Sequence, residues 1–409
     1  MRIKHIFLIF VILFSGISIS FFRTSEALIL LFVFGLLFYG NPFKDYNKNL
    51  IRALVVWLLY FILNSFAINS FHPFFMVTYI VKIIIAYWLI EQYGSSLLLH
   101  YENIIYFLAK LSLFFFVWEI LSPDSIRWVF SYLDVAQNSN PSSNYLSIIV
   151  HSIGGQESNL LIPRNSGFTW EPGPFSCFLA LALFFNVMRN KSILKEKTKI
   201  LILFITILTT QSTTGCVILL ILLIWFFWIF SKNTVLKYFS LGISIIIAIT
   251  LYLNVDLLNT KIEVESSQSL DELIHNSQEH DISYAPGRFV SFELALIDFV
   301  KRPFLGIGGR TDLKYSETIG AQVSTINGIG NIMMRYGMFG VLSLLYLLYH
   351  SGQWFSDKSQ VYCTVVFPII ILIIGFSFGI IESPFIITLL FLSLFNIKSK
   401  SRGRLPNVH

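Results

Sequence analysis

Leu201-Ile-Leu-Phe-Ile-Thr-Ile-Leu-Thr-Thr-Gln211-Ser-Thr-Thr-Gly215-Cys-Val-Ile-Leu-Leu-Ile-Leu-Leu-Ile-Trp-Phe-Phe-Trp-Ile-Phe230 runs for 30 residues without a charge. One bilayer crossing takes about 20 apolar residues, so the run is too long for one helix and long enough for two. Hydroxyls and a glycine interrupt it at Thr209–Gly215, where the polar side chains can satisfy backbone groups locally. The stretch therefore reads as two membrane helices joined by a tight polar turn.

Applied outward, the same rule finds apolar intervals at 5–22, 26–40, 51–70, 74–92, 103–122, 170–188, 199–213, 215–231, 235–255, 326–349, 361–378 and 383–397. Composition agrees: of 409 residues 55% are hydrophobic and 13% charged, against roughly 25% charged in soluble domains. So few charged residues cannot cover a globule, and lipid must solvate much of the surface. The expected fold is all-α: a polytopic transmembrane bundle of about 12 spans, forming one integral membrane domain over residues 1–409. The first interval follows Arg2 and Lys4 like a signal peptide, but lacks a small-residue cleavage site, so an uncleaved helix is expected.

Charge sets the orientation. With both termini cytoplasmic, the inside segments hold 17 Lys and Arg, including Lys44, Lys48, the group from Arg189 to Lys199 and the tail, against nine outside. Six of those nine fall in one long loop, where the bias counts for little. The net charge of +6 is thus topology signal; no basic stripe interleaved with aromatics marks a nucleic-acid partner. Cys177, Cys216 and Cys363 lie inside apolar runs, so neither a disulfide framework nor a thiolate metal site is expected.

Two polar segments break the pattern, both on the outer side: 123–169 and 256–325. Within the second, 263–275 reads as a short surface helix. Residues 286–300 place Phe289, Phe292, Leu296, Phe299 and Val300 at helical spacing, the pattern of an amphipathic helix lying on a membrane.

Three polar groupings gather in these segments. Arg164-Asn-Ser-Gly167-Phe-Thr-Trp-Glu171-Pro172 puts a carboxylate at a helix mouth, where the dipole favours an anion; a cap and a partner for Arg164 is the structural alternative. Arg288 opens the amphipathic helix, and Lys301-Arg302-Pro303-Phe-Leu-Gly306-Ile-Gly308-Gly309-Arg310 follows it. Guanidinium forks match phosphate oxygens, and glycine turns let backbone N–H groups approach an anion; headgroup contact and a tight turn would explain the same residues. Ser324-Thr325-Ile326-Asn327-Gly328 enters the tenth interval, with Arg335 about two turns inside, and an intramembrane charge is a functional hypothesis by default. Lys82 and Glu119 are expected to pair between helices. A surface of arginines beside an in-plane helix suits a lipid-anchored diphosphate.

The ordered set Arg164-x-x-Gly167-x-x-x-Glu171-Pro172, Gln211-Ser-Thr-Thr-Gly215, Arg288 with Arg302-Pro303-Phe-Leu-Gly306-Ile-Gly308, and Asn327 with Tyr336-Gly337-Met-Phe-Gly340 resembles the O-antigen polymerase and ligase superfamily. The resemblance implies a GT-C-like membrane glycosyltransferase in the bacterial inner membrane, with undecaprenyl-diphosphate-linked oligosaccharides as donor and acceptor, membrane lipid around it and a chain-length regulator as a further partner. It implies that Arg164 and Arg288, in the two outer loops, are functional; Arg310 extends that set from its position. Ligases of this superfamily carry a His just before the late Asn. Here Ile326 precedes Asn327, which favours a Wzy-type polymerase over a ligase. Arg164, Glu171 and Arg288 are then the expected catalytic residues, with Arg310, Asn327, Arg335 and His280 binding substrate and His280 the alternative base. No Asp-x-Asp occurs in either loop, so neither metal nor cofactor is expected. A secondary transporter or flippase is the rival class.

Overall fold

Within a hydrocarbon core each backbone polar group must be paired inside the protein, so chain reversals there need capped helices or side chains that reach back to the backbone. The computed structural model describes residues 3–395 apart from 45–46, 136–145, 155–161, 193–194, 255–266, 281–285, 322 and 324. Those residues form α1 (Ile3–Ser15), α2 (Ser25–Tyr39), α3 (Lys48–Ala67), α4 (Pro73–Tyr93), α5 (Leu97–Leu121), α6 (Pro123–Leu133), a hairpin of β1 (Leu146–Ile148) and β2 (His151–Ile153), α7 (Pro172–Asn190), α8 (Lys197–Thr209), α9 (Thr213–Phe230), α10 (Thr234–Asn254), α11 (Leu270–His280), α12 (Arg288–Lys301), α13 (Tyr315–Thr318), α14 (Gly328–Ser359), α15 (Val366–Ser377) and α16 (Pro384–Phe395).

This is an all-α polytopic membrane protein. Each of the twelve apolar intervals contains a helix, although α1 ends at Ser15, seven residues before the first interval does; among the described residues five helical stretches are long and apolar enough to cross a membrane: 48–67, 73–121 (α4 and α5 in series), 172–190, 213–230 and 328–359. The tight turn expected at Thr209–Gly215 is present, with Ser212 capping α9 by accepting from Gly215 N–H at 3.3 Å. Proline opens α4, α6, α7 and α16, where its missing N–H costs nothing.

α7 is the axis of the bundle. From Gly173 to Asn190 every residue is buried, with α5, α8 and α9 packed around it. At its C-terminal end Arg189 donates to Glu102 of α5 at 2.9 Å, both side chains shut off from solvent, and to the partly exposed Glu196 at 2.8 Å.

Two features open the bundle at one end. α15 has 12 residues, about 18 Å at 1.5 Å per residue against a hydrocarbon core of roughly 30 Å, and the turn that follows it carries Glu382 into the wall of a cavity. α14 is also broken: Gly337 sits at φ +61° inside it. The groups freed at that break are taken up by segment 303–308. Ile307 N–H donates to Met334 C=O and Gly308 N–H to Arg335 C=O, both at 2.9 Å, and Met338 N–H donates to Pro303 C=O at 2.6 Å.

Several expectations are corrected. Segment 123–169 is not simply a connecting loop: α6 and the hairpin enclose Ile126, Phe130 and Ile153 beside Phe115 and Trp118. Of the surface helix expected at 263–275, residues 263–266 lie outside the described set, and α11 covers 270–280. The amphipathic helix is present as α12. It buries Val290, Ser291, Leu294 and Ala295 against α14, whereas Phe289, Leu296 and Val300 face outward. Both faces are apolar, so periodicity alone did not separate them. The outward stripe is the side a bilayer would have to cover.

Candidate active site

Beside the turn between α15 and α16 lies a cavity of about 720 Å³. Its wall comes from the end of α1, the starts of α2, α4, α7, α12 and α14, and the α15–α16 turn. Five charged residues line it: Lys82, Glu171, Arg288, Arg335 and Glu382.

Arg288 is the first residue of α12. Its guanidinium stacks over Phe378 at 5.3 Å and donates to Thr213 Oγ1 at 3.5 Å. Phe378 packs so closely on Gly173 that a Cβ there would overlap its ring. The glycine of Glu171-Pro172-Gly173 thus brings Arg288, through Phe378, towards the mouth of α7. Glu171 is the N-cap residue of α7, yet its side chain makes no capping bond. It is exposed to the cavity rather than spent on the helix.

Arg164 does not line the cavity. Its Nε donates to Thr210 C=O and its Nη2 to Gln211 C=O, each at 3.3 Å. Asn165 adds contacts to Thr209 Oγ1 at 3.0 Å and Ser112 Oγ at 3.2 Å. The first motif therefore clasps the 209–213 turn, and Thr213 of that turn meets Arg288. Arg164 and Arg288 thus both contact the same 209–213 turn.

The remaining candidates separate. Arg310 sits outside the cavity in an ion pair with Asp312 at 2.6 Å, and that pairing lowers the Asp312 carboxyl below its ordinary value. Asn327 is buried and caps α14, accepting from Gly330 N–H at 2.8 Å, with its amide 3.5 Å from Arg288 C=O. It positions helices and does not reach the cavity, which Ile326 and Asn331 line instead. His280 ends α11, and its side chain lies outside the described set. The Gly306–Gly309 segment is no anion nest: the N–H groups of Ile307 and Gly308 are committed to α14. Glycine is needed there because a Cβ on Gly306, at φ +66°, would stand 2.5 Å from the Arg335 carbonyl.

Arg335 does line the cavity, and its Nη1 lies 3.4 Å from Glu382. Lys82 is corrected: it shares this wall, where Glu382 and Arg335 are the charges acting on it, while Arg127 is the charge acting on Glu119. Glu382 went unread in the sequence because it falls in the gap between two apolar intervals. A signal existed: it is the sole acidic residue after Asp357 and is followed by Ser-Pro. Tyr336 fixes it, donating to a Glu382 oxygen at 2.6 Å from a ring wedged among Trp57, Phe75 and Tyr79. Among the described residues, no group of three or more His, Cys, Asp or Glu stands in metal-binding proximity.

Such a cavity can hold a polar anionic group within an apolar frame. Residues 199–345 match the family model Wzy_C, described as O-antigen ligase. The match runs from α8 into α14 and takes in the turn that meets both arginines, all of α12, and Arg335. It supports the O-antigen polymerase and ligase superfamily, and with it a membrane enzyme acting on lipid-linked polysaccharide, without separating polymerases from ligases. No curated protein and no solved structure matched the chain.

Proposed function

We propose that this protein is a glycosyltransferase that polymerises undecaprenyl-diphosphate-linked oligosaccharide repeat units on the periplasmic face of the inner membrane. The observation that carries the reading is that Arg288 and Glu171 face one cavity beside the 209–213 turn that Arg164 holds.

In this mechanism Arg288 binds the diphosphate of the growing chain. An acceptor hydroxyl of the incoming repeat unit attacks the anomeric carbon, and the bond from that carbon to the diphosphate oxygen breaks, its electron pair staying on the diphosphate. Glu171 orients the hydroxyl and takes its proton. Arg288 meets the charge that develops on the leaving oxygen. Arg164 acts as a positioning residue, through the two carbonyls it holds.

A ligase is the second reading, favoured by the description of the matching family. Against it, Ile326 and not a base stands in the cavity wall immediately before Asn327. A lipopolysaccharide gel separates the two. Deletion of a polymerase leaves one repeat unit on lipid A–core, and deletion of a ligase leaves none. A full ladder after deletion would remove both readings and leave the transporter class.

A further inference from the structure

Towards the other end of α7 a second cavity, of about 540 Å³, opens between α8 and α9. The two helices pack on α7 more than on each other, and Leu183 and Val187 of α7 floor the gap left between them. Lys197, Ile200, Leu201 and Phe204 stand at i, i+3, i+4 and i+7 on α8, and α9 repeats that spacing from Leu219 to Phe226. Each helix therefore gives one face to the groove. The indole N–H of Trp225 is spent on Tyr362 C=O at 2.9 Å, so the polar side chains left in the lining are Lys197 and Thr198, together at one end. Lys197 is exposed, and among the described residues no ion pair engages it. Its neighbour Glu196 is committed to Arg189 at 2.8 Å and to Lys199 at 3.1 Å.

We infer that this groove holds one anionic phospholipid, an acyl chain lying between α8 and α9 and the headgroup phosphate against the Lys197 ammonium. Shape and charge together choose the occupant. Leu201 and Phe204 are 56% and 42% exposed, so the groove opens sideways, where lipid solvates a membrane helix. From Lys197 to Phe204 the helix rises about 10 Å, which sets an apolar channel beneath a single interfacial cation. A sugar or nucleotide would leave its hydroxyls unpaired against leucine and phenylalanine. A zwitterionic lipid fits the channel but brings a cation of its own to Lys197. A phosphate of net negative charge answers the uncompensated ammonium, and the charge count places this end on the cytoplasmic side, whose leaflet attracts basic residues through its anionic lipids. The same hairpin ends in the 209–213 turn that Arg164 and Arg288 contact, so a chain wedged between α8 and α9 braces the element that carries that turn. The inference stands apart from the polymerase reading.

The test titrates the full-length protein in detergent with phosphatidylglycerol and, separately, with phosphatidylcholine of the same acyl chains, and counts retained lipids by native mass spectrometry. Wild type should retain one phosphatidylglycerol at a concentration about fivefold lower than one phosphatidylcholine, the preference that a single cation near a headgroup gives. Lys197→Met should remove that preference and Lys197→Arg should keep it. Lys197→Glu should reverse it, a gain for phosphatidylcholine that misfolding cannot produce. Leu201→Trp, on the open side of the groove, should cost retention of both lipids by filling it. Lys48→Met, which removes an exposed cation from the start of α3, away from α8 and α9, should change nothing.

Equal retention of the two lipids by wild type would overturn the site, and so would an undiminished preference in Lys197→Met. An equal loss in Lys48→Met would make the preference a property of the basic surface as a whole, and unchanged retention in Leu201→Trp would put the lipid outside the groove; either result removes the proposal. Its failure leaves the polymerase reading intact, since that is tested by the gel.

Discussion

The Tyr336 hydroxyl lies 2.6 Å from a carboxylate oxygen of Glu382, joining the residue just before the Gly337 break in α14 to the turn before α16. Both ends of that hydrogen bond sit where a helix is interrupted. The break and the turn together carry polar side chains into the bundle, while segment 303–308 repairs the backbone at the break.

Tyr336→Phe keeps the ring among Trp57, Phe75 and Tyr79 and deletes the donor. A hydrogen bond to a charged group contributes about 1.5–3 kcal/mol, so we expect a lower thermal midpoint in detergent and a shortened polysaccharide ladder. An unchanged midpoint together with an unchanged ladder would mean that Glu382 needs no such anchor.

Arg288→Lys keeps the charge but loses the fork and the planar stack over Phe378. The ladder should be lost while the protein still inserts, as judged by membrane fractionation. Arg310→Ala should leave the ladder as it is, because Arg310 pairs with Asp312 away from the cavity. The opposite ranking of the two variants would contradict the placement of the diphosphate beside α12.

The helices were legible because crossing a bilayer demands a length and a composition that few other structures share, and the 201–230 run already contained that rule. The cavity was legible in part: Arg288, Glu171 and Arg335 stood out as charges at helix mouths or inside apolar runs. Glu382 did not, because hydropathy spacing treats a four-residue gap as a turn in water and cannot see that this turn lines a cavity beside α4 and α14. Gly306–Gly309 were hard to read for a related reason. Glycines that let a backbone approach an anion look the same, in sequence, as glycines that let it approach the broken helix α14.

Gly306→Ala tests that last point. The new Cβ would meet the Arg335 carbonyl at 2.5 Å, at a positive φ, so neither the neighbour nor the local backbone can yield cheaply. A loss of several kcal/mol is expected, seen as little or no monodisperse protein on size exclusion in detergent. Gly242→Ala, in α10, meets nothing within 4 Å among the described residues and has no positive φ, and should behave as wild type.

His151 of β2 is buried, stacked on Phe115 and edge-on to Phe130, and among the described residues neither ring nitrogen has a hydrogen-bond partner. Burial pushes its pKa down to about 3, from about 6.5 in an unfolded chain. The unfolded hairpin therefore binds a proton that the folded one refuses. Stability is fully present above about pH 6.5 and falls by up to about 1.4 kcal/mol per pH unit below it. Hydrogen exchange at residues 146–153 should quicken between pH 7 and pH 5 relative to the intrinsic rate, and His151→Phe should abolish that extra quickening.

At the other end of α7, Arg189 and Glu102 are both solvent-excluded, with Nη2 to Oε2 at 2.9 Å and a second contact from Nε at 3.2 Å. Asn186 adds a donor to each of Glu102 and Glu196. Removing one member of such a pair strands the other charge in a medium that cannot solvate it, at about 3–5 kcal/mol. Arg189→Met should accordingly reduce folded yield sharply. Adding Glu102→Gln removes the stranded carboxylate while keeping an acceptor for Asn186, so the double variant should recover most of the loss. If the double variant is as poor as the single, the cost lies in the remaining Glu196 and Lys199 contacts rather than in the buried carboxylate, and a thermal-midpoint cycle over the four proteins reads that coupling directly.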